Sequence, residues 1–241
     1  MPYTAEISRA NPSCFVFLID QSGSMVDGIG GTEGRRKCDS VADAINRLLQ
    51  NLIIKCARGE GVRNFYDVCV IGYGATVAPA FSGLLAGRDL VPISEVANSP
   101  ARVEERVRNV DDGSGGSVEQ KVKFPIWFEP VARGITPMGT ALNMAYELLV
   151  SWVPKHNDSY PPIVINITDG EATDSGPVPQ AAMLTGLKTD DGNALLLNCH
   201  ISDHKVDPIL FPDSEDNLPD ELARILFKVS SPLPASVVSR K

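Results

Sequence analysis

The sequence predicts an α/β protein built on a doubly wound, mostly parallel central sheet with helices on both faces. Three observations predict it. Four short runs, SCFVFLID (13–20), YDVCVIGYG (66–74), PPIVINITDG (161–170) and ALLLNCHIS (194–202), are almost continuously apolar, as strands covered on both faces are. Segments with helical spacing alternate with these runs, the order expected of a parallel sheet. The chain has 241 residues, 43% of them hydrophobic, enough for one well-filled core.

Taken in order, residues 1–12 form an N-terminal segment, 13–231 a single domain and 232–241 a flexible tail. After the first strand, the 36–57 segment places Val41, Ala44, Ile45, Leu48, Leu49, Leu52 and Ile53 along one helical stripe. The 66–74 strand is followed by ATVAPAF (75–81), whose Pro79 suits an edge strand. Residues 82–102 read as loop. An inserted β-hairpin is expected around 103–128: Val118, Val122, Phe124 and Ile126 alternate with Glu119, Lys121, Lys123 and Pro125, and DDGSGGS (111–117) supplies the turn. MGTALNMAYELLVSW (138–152), a shorter stretch near 178–188 and LPDELARILFKVSS (218–231) read as helices.

Acidic residues outnumber basic ones, 30 to 22, for a net charge of −8. This argues against nucleic acid or an anionic membrane as partner. Cys14, Cys38, Cys56, Cys69 and Cys199 are scattered and form no C-x-x-C pair. They read as reduced, core-filling thiols. MPYTAEISRANPS has no apolar signal region, and no run approaches 18 apolar residues. The expectation is a cytoplasmic protein. GIGGTEG (28–34) has neither the lysine of a phosphate-binding loop nor a dinucleotide fingerprint, and reads as a loop.

Chemistry concentrates where strands end. Asp20, Ser22 and Ser24 leave the C-terminal end of the first strand, and Asp169 leaves the end of VINITD. In an open parallel sheet the C-terminal strand ends at the switch point line the functional crevice. Thr136, ahead of a helix, can bring a hydroxyl in from the side. Two carboxylates and three hydroxyls make an all-oxygen set, suited to Mg²⁺ or Mn²⁺ rather than zinc. Mg²⁺ seeks about six ligands and commonly keeps waters, so such a set leaves a position for an outside carboxylate. Plainer roles stand beside these: Thr136-Pro137 also reads as a helix cap followed by proline at the first helical position, and Asp169-Gly170 as a turn.

The segments FLIDQSGSM, GITPMGTAL and IVINITDGEATD resemble the three motif segments of the von Willebrand factor A (VWA) domain. The resemblance spans about residues 13–231. It implies a metal-ion-dependent adhesion site (MIDAS) at Asp20, Ser22, Ser24, Thr136 and Asp169, occupied by Mg²⁺, with Mn²⁺ or Ca²⁺ as alternatives. It implies a protein-interaction module whose partner completes the coordination with an acidic side chain. Within the family the chain resembles the bacterial tellurium-resistance TerY-like group, which implies a cytosolic stress-response or signalling role beside a protein kinase or phosphatase. The 103–128 hairpin and the lengthened GIGGTEG loop depart from that pattern.

Other clusters carry weaker chemistry. Cys199, His200, Asp203 and His204 have zinc-like spacing, but their side chains need not converge. Glu171 and Asp174 are either supports for Asp169 or exposed loop acids. Trp127 and Phe128 read as core before contact patch. No His, Lys or Arg lies inside the motif segments as a base or charge clamp, so no enzyme is expected. The alternatives are a metal-dependent phosphohydrolase and a structural subunit with a purely structural metal.

Overall fold

The computed structural model describes residues 3–29, 34–111, 117–174, 176–203 and 207–235. Its centre is a six-stranded, mostly parallel sheet. Strand β1 (Ser13–Asp20) lies between β4 (Tyr66–Tyr73) and β9 (Ile163–Thr168), and β12 (Leu195–His200) flanks β9; all four run parallel. Two short antiparallel strands share the outer edge of β4: β5 (Val77–Pro79) along its C-terminal half and β6 (Val91–Pro92) along its N-terminal half. Pro79 sits on that edge strand, where a missing N–H costs no ladder bond.

The apolar runs are explained by burial on both sides. Cys14, Val16 and Leu18 of β1 pack with helices α3 (Met138–Trp152), α4 (Val178–Gly186) and α5 (Glu221–Val229). Phe17 and Ile19 point the other way, into a second cluster with α1 (Lys37–Cys56) and α2 (Ile93–Asn98). Strand side chains alternate faces, so a strand between two helical layers has no polar positions to spare. Val16, Phe17 and Leu18 are each 0% exposed, and burying an apolar side chain of this size contributes about 1.5–3 kcal/mol.

The loop expected over 82–102 is a correction. It contains a single 3₁₀ turn (Gly83–Leu85), β6 and α2. Leu85, Val91, Ile93 and Val96 are buried there, but each element is too short to show a period. Two tight hairpins also escape the pattern: β2 (Ala57–Arg58) with β3 (Gly61–Val62), and β10 (Lys188–Thr189) with β11 (Gly192–Asn193). Thr4 and Ala5 of the N-terminal segment donate backbone N–H groups to the Asp191 carboxylate at the second of these turns.

The expected hairpin is present as β7 (Arg102–Asp111) and β8 (Ser117–Ile126), a separate two-stranded sheet; residues 112–116 of its turn lie outside the described residues. A lone two-stranded ribbon is marginal in water, and its base is fastened to α1. Phe124 and Ile126 are buried. The Arg106 guanidinium lies 3.8 Å from the Phe124 ring centre and donates to Asp43 of α1 at 2.9 Å. Arg35 pairs with the same Asp43 carboxylate. Beyond β8, Trp127 and Phe128 are core residues, each 2% exposed. Buried Asn46 of α1 takes both their backbone N–H groups on its side-chain oxygen.

Cys14, Cys38, Cys56 and Cys69 are buried and free, whereas Cys199 is free and exposed. No helix among the described residues is long and apolar enough to cross a membrane. Residues 30–33 of the glycine-rich loop and 236–241 of the tail lie outside the described residues.

Candidate metal centre

The register of β1 on β9 builds the site. Ile19 pairs with Ile167, which sets Thr168 beside Asp20 at the C-terminal ends of the two strands. The Thr168 hydroxyl donates to Asp20 Oδ2 at 2.6 Å. On the other carboxylate oxygen, Asp20 Oδ1 accepts the Ser22 backbone N–H at 2.8 Å. Asp20 is 1% exposed. Its pKa is raised by burial, against the pull of the Ser22 and Thr168 hydrogen bonds and with a smaller push from the Asp169 charge.

After Asp20 the chain turns sharply. Gly23–Val26 form one 3₁₀ turn, anchored by the fully buried Met25. The turn brings Ser22 Oγ within 3.0 Å of Ser24 Oγ. Ser24 Oγ in turn donates to Asp169 Oδ1 at 2.8 Å. Four of the five candidate residues, Asp20, Ser22, Ser24 and Asp169, are thus joined by one continuous run of hydrogen bonds.

Thr136 arrives on a loop held by backbone bonds. Arg133 N–H donates to Gln21 O at 2.7 Å, and Gly23 N–H to Gly134 O at 3.0 Å. Gly134 has φ +91°, and a Cβ there would lie 2.3 Å from the Ala75 nitrogen; only glycine fits. Thr136 is 6% exposed. A Cβ added at Gly170 would stand 3.4 Å from Thr136 Oγ1 and 3.8 Å from Ser24 Oγ. The two hydroxyls therefore open onto one small space beside Asp169.

Thr136 does not cap α3 with its side chain: no side-chain cap bond is made at that helix start, whose capping position is Pro137. The cap comes from Asp174. Its carboxylate accepts the Gly139 N–H at 3.0 Å, the Thr140 N–H at 2.8 Å and the Thr140 hydroxyl at 3.0 Å. Thr173 clamps Thr136 from both sides: its Oγ1 accepts the Thr136 N–H at 3.1 Å, and its N–H donates to Thr136 O at 2.9 Å. The segment after Asp169 is thus the scaffold of the Thr136 loop.

Reading the motif segments alone misses Lys37. This first residue of α1 is 0% exposed, and its Nζ lies 2.8 Å from Asp169 Oδ2 and 2.5 Å from Asp203 Oδ1. The Lys37 backbone N–H donates to Asp27 O at 2.8 Å, so the helix start is tied to the turn that carries Ser24. Burial disfavours the ammonium, but the hydrogen bonds and charges of Asp169 and Asp203 outweigh it, and the Lys37 pKa lies above the ordinary lysine value. The only hint in sequence is the cationic run Arg35-Arg36-Lys37; nothing in its spacing distinguishes the third member.

Below the site, the buried Tyr73 hydroxyl donates to Asn166 Oδ1 at 2.7 Å, and Asn166 Nδ2 donates to Asn198 Oδ1 at 2.9 Å. Burial, followed by the Asp20 charge, raises the Tyr73 pKa well above its ordinary value. Tyr73 is thus a neutral hydrogen-bonding floor.

Hard oxygens of two carboxylates and three hydroxyls suit a small divalent cation such as Mg²⁺ or Mn²⁺, and the shared space at Gly170 fits hydroxyl ligation from two sides. Among the described residues, no group of three or more His, Cys, Asp or Glu is placed to hold a metal, so hydroxyls must supply most of any coordination here. The zinc-like cluster does not gather. His200 Nε2 lies 3.1 Å from Asp220 Oδ2, Asp203 is taken by Lys37, and Cys199 is exposed; His204 lies outside the described residues.

No protein-family model matches the chain, and no curated protein sequence matches it. Among solved structures, it is similar to the vWF domain of the type V pili tip protein Mfa5 from Porphyromonas gingivalis, at 16% identity and TM-score 0.36 over 68% of this chain and 39% of that one. It is similar to the PilB minor pilin from Streptococcus sanguinis, at 15% identity and TM-score 0.37 over 66% and 30%. It is also similar to proximal thread matrix protein 1 from the mussel byssus, at 12% identity and TM-score 0.41 over 81% and 37%. The chain spans about two-fifths or less of the length of each.

Proposed function

We propose that this chain is a divalent-cation-dependent protein-binding module of the VWA type. Asp20, Ser22, Ser24, Thr136 and Asp169 would hold Mg²⁺ or Mn²⁺, with Ca²⁺ as the alternative ion. The observation that carries this reading is the Ser24 hydroxyl. It touches Ser22 on one side and Asp169 on the other, joining residues 145 positions apart into one oxygen-lined crevice at the ends of neighbouring parallel strands. When bound, such an ion supplies an electrophilic corner that a carboxylate from another protein can fill. Exposed Val26 and Ile135 flank Ser24 and Thr136 in sequence, giving the partner apolar surface beside the acid-binding point. The motif resemblance favours a cytoplasmic role beside a protein kinase or phosphatase.

Binding fits the site better than turnover. Among the described residues, Lys37 is the cation built into it, and it is held by two carboxylates rather than aimed at an open position as a base or clamp.

The test is thermal melting of the full chain in Mg²⁺ and in EDTA. A site saturated at about a hundred times its Kd adds about 2.7 kcal/mol, so the melting temperature should rise with Mg²⁺ in the wild type and stay level in Asp20→Ala. Pull-down of an acid-bearing partner should likewise fail in EDTA. Identical melting curves with and without Mg²⁺ or Mn²⁺ would remove the reading.

A further inference from the structure

We propose that Lys37 is a tethered counter-cation of the candidate metal site: its ammonium cancels the charge of Asp169, so that a divalent ion there is held weakly and depends on an acid from outside the chain. This rests on the metal-site reading above.

The geometry is specific. Asp169 has two carboxylate oxygens, and both are engaged: Oδ2 by Lys37 Nζ at 2.8 Å and Oδ1 by Ser24 Oγ at 2.8 Å. The side chains of Lys37 and Asp169 are both 0% exposed. A pair shielded in this way is little screened by salt, and its charges are felt nearby at reduced dielectric. Asp203 is the third member, 2.5 Å from the ammonium, but its side chain is 66% exposed, so water and salt damp its charge. For an ion between Ser22, Ser24 and Thr136, the two buried partners nearly cancel. Among the described residues of the site, Asp20 is then the carboxylate left to attract it.

Lys37 cannot simply swing away. Its backbone is tied to Asp27, its neighbour Cys38 is buried in the α1 core, and Lys37 itself is 0% exposed. The charge is a fixed part of the site. It lowers affinity for a bare dication and leaves more of the ion's charge for an incoming carboxylate. A chain that spent both aspartates on the ion would hold it tightly and need a partner less.

The experiment measures ion binding in the full chain without any partner. Free Mn²⁺ is followed by electron paramagnetic resonance, and Mg²⁺ by calorimetry. Lys37→Met keeps the apolar stem and removes the charge; it should bind Mn²⁺ at least roughly tenfold more tightly than wild type. If that variant does not fold, a second comparison decides. Lys37→Met/Asp169→Asn removes the pair together, and should bind Mn²⁺ at least roughly tenfold more tightly than Asp169→Asn, which keeps the ammonium. Equal or weaker binding on losing the ammonium overturns the proposal while leaving the metal site intact. Binding by Lys37→Met alone, with none by the wild type, overturns the metal-site reading and with it the proposal. Absence of Mn²⁺ binding in every form overturns both.

Discussion

Asp20 ends strand β1 and Asp169 directly follows β9, its parallel neighbour, yet the fold treats the two aspartates differently. Asp20 is met by neutral donors, the Ser22 backbone N–H and the Thr168 hydroxyl. Asp169 is met by a hydroxyl and by a fully buried ammonium. Two strand ends that look equivalent along the chain therefore differ in net charge. One aspartate is a buried charge softened by hydrogen bonds, and the other is half of an ion pair. The first is available to a cation and the second is already partly spent.

That contrast can be broken by removing partners in metal-free buffer. The largest effect should follow Lys37→Met. Asp169 would lose its ammonium while staying covered, and breaking one side of a buried pair costs about 3–5 kcal/mol. Urea unfolding measures it, and a loss below 1 kcal/mol would mean the pair is open to water. Asp174→Ala comes next. It leaves the Gly139 and Thr140 N–H groups without their acceptor, at about 1–2 kcal/mol in the same assay. It should also weaken Mn²⁺ binding by loosening Thr136; unchanged stability and binding would show that Thr173 holds the loop unaided.

Asp20→Asn should cost about 1 kcal/mol or less. The amide oxygen keeps the Ser22 bond, and a buried charge that burial already disfavours is removed. The same variant should lose the stabilisation by Mg²⁺. If Asp20→Asn destabilised as much as Lys37→Met, the two ends would not differ in the way described.

The smallest effect belongs to the hairpin anchor. Burial pushes the Asp43 pKa up, but the hydrogen bonds and charges of Arg35 and Arg106 outweigh it and leave it lowered. A lowered carboxylate pKa adds stability above the unfolded value, about 3.9, and loses it as the pH falls from there through the folded value. With both arginines partly exposed, Asp43→Asn should cost about 0.5 kcal/mol at pH 7. That difference should vanish in the most acidic samples that still fold. A gap unchanged at low pH would argue for packing rather than charge.

The elements that were legible are those whose burial is periodic. β1, β4, β9 and β12 are apolar throughout because both faces are covered, and α1 and α5 carry clear stripes. The β7–β8 hairpin was legible from alternation. β6, α2 and the two-residue strands were not, because two to six residues cannot display a period. In the site, Asp20, Ser22 and Ser24 were legible because they are local: side chains two apart on one turn must lie near each other.

What the sequence determined by itself was the parallel α/β arrangement and an oxygen-rich strand end, since covalent spacing and hydrophobic pattern act over a few residues. The tertiary structure alone decided that Lys37, 132 positions from Asp169, supplies its counter-charge, and that Asp174 caps α3 in place of Thr136. The physical reason is range. Burial patterns are written in neighbouring residues, whereas the partner of a buried charge is chosen by whichever distant element the packed sheet brings within reach.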